Sequence, residues 1–193
     1  MIEIETGRSG IIAATKGGPT IRCETIVYAT GYEMPDFVPA HGHEIASTYA
    51  IATKPQPHCL WPEQCFIWEA SEPYLYVRTT SDGRVICGGE DEDCPDAESR
   101  DALLSRKTAA IGRKLAKLLP AIDTRAQFAW AGSFGKSDTG LPTIGEVPAM
   151  KNCWAVLGYG GNGITYSRIA ADIIRAALIG SRDASADLYQ FRA

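Results

Sequence analysis

The segment from Cys153 to Gly180 constrains this chain more than any other, because it reads as a strand, a glycine-rich turn and a helix with little after them. Cys153 to Leu157 is an apolar run suited to a short buried strand. Gly158-Tyr159-Gly160-Gly161-Asn162-Gly163 follows and satisfies G-x-G-x-x-G, the turn that a dinucleotide motif sets between strand and helix. Ile164 to Ile179 then predicts a helix, with Tyr166, Ile169, Ile173 and Ala177 inward and Gly180 at its C′ position. A dinucleotide-binding βαβ unit also needs a second parallel strand ending in an acidic residue about 20 positions on. The thirteen residues from Ser181 to Ala193 cannot supply it, so a free-standing NAD-binding domain is excluded on topology. Local physics remains: glycines let peptide N–H groups approach a ligand, and the start of a helix favours negative charge. The plainer alternative is a turn whose glycines serve only tight strand-to-helix packing.

Upstream, Ile2 to Glu5 and Ile11 to Thr15 read as strands, and Gly17-Gly18-Pro19 turns the chain into a third, Thr20 to Ala29. Three strands with no helix between them cannot close a core, so Met1 reads as an artificial or secondary start. Strand-like stretches at Ile45 to Lys54 and Gln64 to Glu69 flank a Pro-rich turn. Tyr74 to Thr80 and Arg84 to Gly89 form a hairpin about Asp82-Gly83, a pair suited to a two-residue type I′ turn. Asp96 to Leu119 predicts a helix with Leu104, Ile111, Leu115 and Leu118 on one face, stopped by Pro120. Ala126 to Ser133 and Leu141 to Gly145 complete the strands. The order predicts an α/β (α+β) chain of two domains, with residues 45–134, an antiparallel sheet plus one helix, inserted between 1–44 and 135–193.

With 45% hydrophobic and 22% charged residues among 193, the chain has the composition of an ordinary globular protein. Its formal charge of -4, without a Lys/Arg cluster, argues against nucleic acid. No apolar run approaches the length that spans a bilayer and Met1 to Gly10 build no signal-peptide core, so no membrane partner is expected and the reading is cytoplasmic. Six cysteines without a C-x-x-C pair read as reduced, mostly buried thiols. His41, His43 and His58 near Cys59 have the wrong spacing for a structural metal site and read as loop histidines, with no metal expected.

Four motifs occur in a fixed order: TIVYATGYE at Thr25 to Glu33, YVRTTSDGRVICGGED at Tyr76 to Asp91, SDTGLPTIGEVP at Ser137 to Pro148, and LGYGGNGITYS at Leu157 to Ser167. Together they resemble the D-amino-acid oxidase family of flavoproteins, which includes glycine and sarcosine oxidases and D-amino-acid dehydrogenases. The resemblance spans nearly the whole chain and about the latter half of a typical member. It implies the C-terminal part of an FAD-binding Rossmann-like domain at 1–44 and 135–193, a substrate-binding domain at 45–134, and a missing N-terminal half of the FAD domain as partner. By the same resemblance, Ala29, Thr30 and Gly31 form a turn beside the cofactor and Pro142 to Gly145 lie beside the flavin ring. Gly160, Gly161, Asn162, Gly163, Ile164 and Thr165 bring backbone donors and the helix start to the ring's N1/O2 edge, which becomes anionic on reduction. The chain departs from the family at Asn162, where many relatives carry His, and at Thr165, where some sarcosine-type oxidases carry a Lys that helps activate oxygen. Both departures count against fast oxidase activity. No cysteine lies between Ala126 and Gly145, where covalent members attach their flavin, so non-covalent FAD is expected.

In the hairpin, alternation puts Tyr74, Tyr76 and Arg78 on one face. A two-residue turn pairs Arg78 with Cys87 and Tyr76 with Gly89, leaving space before the guanidinium. The family pattern sets an arginine four residues before this Asp-Gly on the sheet facing the flavin, so Arg78 is assigned to a substrate carboxylate, with Tyr74 and Tyr76 lining the site. The plainer reading of Arg78 is a structural ion pair or a solvent-facing residue. No catalytic base is assigned, since the resemblance implies direct hydride transfer from a neutral amine. The expected function is a fragment of an FAD-dependent oxidoreductase acting on an amine or amino acid. The alternative is a non-catalytic or partner-dependent module that does not bind FAD alone.

Overall fold

A computed structural model describes residues 3–7 and 10–192. Met1 and Ile2, which the readings of the chain start and first strand included, lie outside the described residues, as do Arg8, Ser9 and Ala193. In chain order come β1 (Glu3–Gly7), β2 (Gly10–Ala14), β3 (Thr20–Cys23), β4 (Ile26–Tyr28) and β5 (His43–Thr53). Next are β6 (Ile67–Trp68), β7 (Leu75–Thr79), β8 (Val85–Glu92), the helix α1 (Ala97–Leu118) and β9 (Ala126–Ser137). The chain ends with β10 (Thr143–Glu146), β11 (Cys153–Leu157), α2 (Gly163–Leu178) and a short α3 (Ala186–Tyr189) that the sequence did not foreshadow. Two compact units result, Met1–Glu44 with Phe134–Ala193, and Ile45–Ser133.

In the first unit, β1, β2 and β3 form an antiparallel meander, and β10, β11 and β4 a second sheet. The predicted single strand over Thr20 to Ala29 is therefore two strands in different sheets: Ile26 N–H leaves the meander and donates to Asn152 O (3.0 Å), and β4 then runs parallel to β11. Alternation along β11 serves two cores. Cys153, Ala155 and Leu157 join Ile11, Tyr28 and Val38 on one side, while Val156 joins Ile144 and Ala170, Ile173 and Ile174 of α2 on the other. Gly180, at φ +74°, ends α2, and Ser181 N–H donates back to Ala176 O (2.9 Å).

The second unit is a five-stranded sheet in the order β6-β7-β8-β5-β9 with α1 on one face. Asp96 caps α1, its carboxylate accepting from Ser99 N–H (2.7 Å). Ile111 and Leu115 are fully buried against Tyr49, Ile51, Leu75, Val77, Val85 and Cys87. The apolar stripe differs from expectation at two places: Leu118 is exposed in the last turn, and the buried position between Leu104 and Ile111 is Lys107. Its ammonium reaches Glu92 (2.7 Å) and lies 5.5 Å from the Tyr49 ring centroid, so the apolar stem fills the stripe while the head is paired. Of the six cysteines, which are all free, only Cys87 and Cys153 are buried, fewer than expected.

The hairpin register corrects the sequence reading by one residue. Thr79 pairs with Val85, Arg78 with Ile86, Val77 with Cys87 and Tyr76 with Gly88. The turn is a three-residue loop, Ser81-Asp82-Gly83, because only Gly83 (φ +80°) of its residues takes positive φ, and a type I′ turn needs two such residues. A second irregularity sits across β8 and β5: Ser47 pairs with Glu92 but Tyr49 with Gly89, so β8 carries one extra residue, with Glu90 at φ +56°.

Candidate functional site

Parallel pairing of β4 with β11 in the register Ile26–Cys153 to Tyr28–Ala155 brings the C-terminal ends of both strands to one sheet edge. Ligands in open α/β sheets bind at such an edge. Ala29-Thr30-Gly31 leaves one strand there and the glycine turn leaves the other; a Cβ on Gly31 would stand 3.7 Å from the Tyr159 hydroxyl. Pro142 precedes β10, whose Thr143 pairs with Leu157, so it too adjoins the turn. Gly145 does not: it pairs with Ala155, and its open side is packed against Gln190 and Phe191 at 3.5 Å.

The turn itself offers main chain and almost nothing else. A Cβ on Gly161 would meet nothing within 4 Å, Gly160 has φ +53°, and Ile164 is 91% exposed. Asn162 makes no side-chain cap and the first turn of α2 holds no acidic residue. A 3-10 turn, Gly160–Asn162, leads straight into α2, and the positive end of the helix, free of acids and of a side-chain cap, favours a negatively charged ligand.

Beneath the turn sits a residue the sequence reading placed in a loop. His43 begins β5, and its Nε2 hydrogen-bonds the Thr143 hydroxyl at 2.8 Å, while Nδ1 is buried without a partner among the described residues. Its ring lies so close to Gly158 that a Cβ there would fall 2.1 Å from Nδ1. Burial holds the imidazole below its ordinary pKa, opposed by the Asp138 carboxylate. Nothing in sequence spacing joins His43 to a glycine 115 positions away.

In the second unit, Leu75 and Val77 point into the α1 core while Tyr74, Tyr76 and Arg78 point to the uncovered face, as alternation requires. The Tyr76 side chain lies across β8: a Cβ on Gly88 would come 2.2 Å from its hydroxyl. Arg78 is exposed and opposite Ile86, not opposite a small residue. Asp91, which sequence reasoning missed within an acidic run, stands beside the tyrosines, its carboxylate near enough to oppose ionisation of the Tyr74 phenol. Burial first, then the Asp91 charge, raises both phenols above their ordinary range, so Tyr74 and Tyr76 are neutral hydroxyls. Among the described residues no group of three or more His, Cys, Asp or Glu is placed to hold a metal ion, and no described helix is long and apolar enough to cross a membrane.

A family model described as DAO, FAD dependent oxidoreductase, matches residues 2–177. The chain belongs to the DAO family of FAD-dependent oxidoreductases. Solved DAO-like structures share its fold: glycine oxidase from Geobacillus kaustophilus, 18% identical, aligns with a TM-score of 0.75 over 99% of this chain and 51% of that one. Iminodiacetate oxidase from Chelativorans sp. BNC1 gives 0.81 at 15% identity, over 98% and 52%. L-proline dehydrogenase from P. horikoshii gives 0.73 at 17% identity, over 98% and 52%. No curated protein sequence matches. This DAO-family chain thus spans about half the length of those structures. Its acid-free, uncapped helix start and the open space at Gly161 on a parallel-strand edge fit the family's cofactor, whose ring gains negative charge on reduction.

Proposed function

We propose that this chain contributes the flavin-edge and substrate-binding parts of an enzyme that oxidises the C–N bond of an amine or amino acid to an imine, which water then hydrolyses. FAD, held without a covalent bond, supplies the hydride acceptor. Gly160 to Thr165 would hold its N1/O2 edge through backbone donors, with Ala29-Thr30-Gly31 and Pro142 beside it. Arg78 binds the substrate carboxylate through its guanidinium, and Tyr74 and Tyr76 line that face as neutral hydroxyls. The substrate's α-carbon gives up a hydride as its nitrogen lone pair closes the C=N bond, so these side chains act by orienting a neutral amine. The observation that carries the reading is the uncapped, acid-free start of α2, set at the shared edge of β4 and β11.

The half-length match favours a second reading, in which the flavin is retained only together with further polypeptide. One experiment separates the two: the absorbance spectrum of the purified chain, before and after excess FAD and desalting. Retained flavin bands that bleach anaerobically with amino acids support the first reading. A colourless chain leaves the family standing and supports the second.

A further inference from the structure

We propose that the Asp91 end of the open sheet face is a subsite for an organic ammonium group, so that the substrate carries a cationic nitrogen remote from its carboxylate. This rests on the reading of the Tyr74–Arg78 face as the substrate face. Asp91 stands beside Tyr74, and its Oδ1 is buried with no hydrogen-bond partner among the described residues. A carboxylate taken from water without a full set of partners is costly, and a counter-charge offsets that cost. The neighbouring acids already have theirs: Glu92 pairs with Lys107 (2.7 Å), and Glu90 with Lys114.

Rings line the face that Asp91 shares with Tyr74 and Tyr76. Trp68 meets Tyr74 edge-on with centroids 6.0 Å apart, and Phe66 stacks along Tyr76 at 6.5 Å. Trp68, on β6, is 67% exposed and Phe66, just before the strand, 60%. Ring faces attract cations, most strongly where water is partly excluded. This unit's own cation–ring contacts lie elsewhere, Arg84 over Phe128 and Lys107 over Tyr49. Tyr74 and the Trp68 ring against it, with the bare carboxylate oxygen beside Tyr74, therefore offer a cation site that these contacts leave open. Arg78 lies four residues along β7 from Tyr74 on the same face, roughly 13 Å between their Cα atoms at about 3.3 Å per residue. The face thus presents positive charge at one end and negative charge at the other, matching a ligand with carboxylate and ammonium at opposite ends.

The test titrates the chain with D- and L-lysine against D- and L-norleucine, which lack only the side-chain amine, following ligand signals by NMR and tryptophan fluorescence. Lysine of one hand should bind roughly tenfold more tightly than its norleucine partner, the scale of a cation on partly desolvated rings. Asp91→Asn should reduce the preference to within about twofold while norleucine binding persists, and Trp68→Leu, at an exposed position, should weaken lysine alone. Equal binding of the pair, binding of neither, or a preference that survives both substitutions overturns the subsite. Failure to oxidise lysine with FAD supplied, while the preference and its loss in Asp91→Asn are intact, counts against the proposed reaction and leaves the subsite standing.

Discussion

At the glycine turn the chain presents peptide groups and hardly any side chains: Gly161 has open space where a Cβ would be, and the start of α2 is uncapped. On the five-stranded sheet the reverse holds. There the backbone is consumed by strand pairing, and the proposed recognition rests on Tyr74, Tyr76, Arg78 and Asp91. The first region depends on what is absent, so it tolerates change except where an added atom collides. The second depends on charge and shape, so isosteric changes expose it.

Leu115→Ala removes a fully buried side chain beneath the sheet, and should cost about 3 to 4 kcal/mol in urea unfolding. If the loss is confined to the unit of Ile45–Ser133, two transitions will separate; a single shifted transition would show that the units unfold together. Gly158→Ala should cost about 3 kcal/mol, since φ is +72° and the His43 ring occupies the space. Gly161→Ala, with nothing to strike, should cost under about 0.5 kcal/mol, and comparable losses at the two glycines would undo the account of the turn. Arg78→Ala should leave the urea midpoint unchanged and weaken a carboxylate ligand about 10- to 100-fold, the scale of a charge-assisted pair. A stability loss without a binding loss would assign Arg78 a structural role.

The smallest effect is that of pH. Burial lowers the His43 pKa in the folded chain, so between that value and the ordinary 6.5 the unfolded chain holds more protons. Stability is full above about 6.5 and falls as pH drops through the folded-state value. A urea-midpoint series from pH 8 to 5 should show this decline, reduced in His43→Gln; an unchanged slope would remove His43 from the account.

The features legible in the sequence are those with local causes. α1 announces itself by a capping Asp96, an apolar stripe and Pro120, and α2 by its glycines at both ends. What failed was set by partners distant in the chain. The Thr20 to Ala29 strand breaks because β4 finds β11, some 125 residues on, and the hairpin slips because three residues, not two, make its turn. His43 read as a loop residue, and Lys107 interrupts the apolar stripe of α1; each is held inside by a group that sequence spacing cannot reveal. Asp91 was invisible because the run of acids around it carries no sign of which way each one points.

The extra residue in β8 decides that direction. Counting by twos from Val85 and Cys87 would send Asp91 toward α1 and Glu90 to the open face. With one residue added, Glu90 and Glu92 both turn to the lysines of α1 and Asp91 alone turns to Tyr74. The strand thereby sorts a nearly uniform string of carboxylates into two populations, one fastening the helix and one facing the proposed subsite. Shortening the string by a single residue would exchange their assignments, so specificity on this face is encoded in a parity, in addition to the chemistry of its side chains.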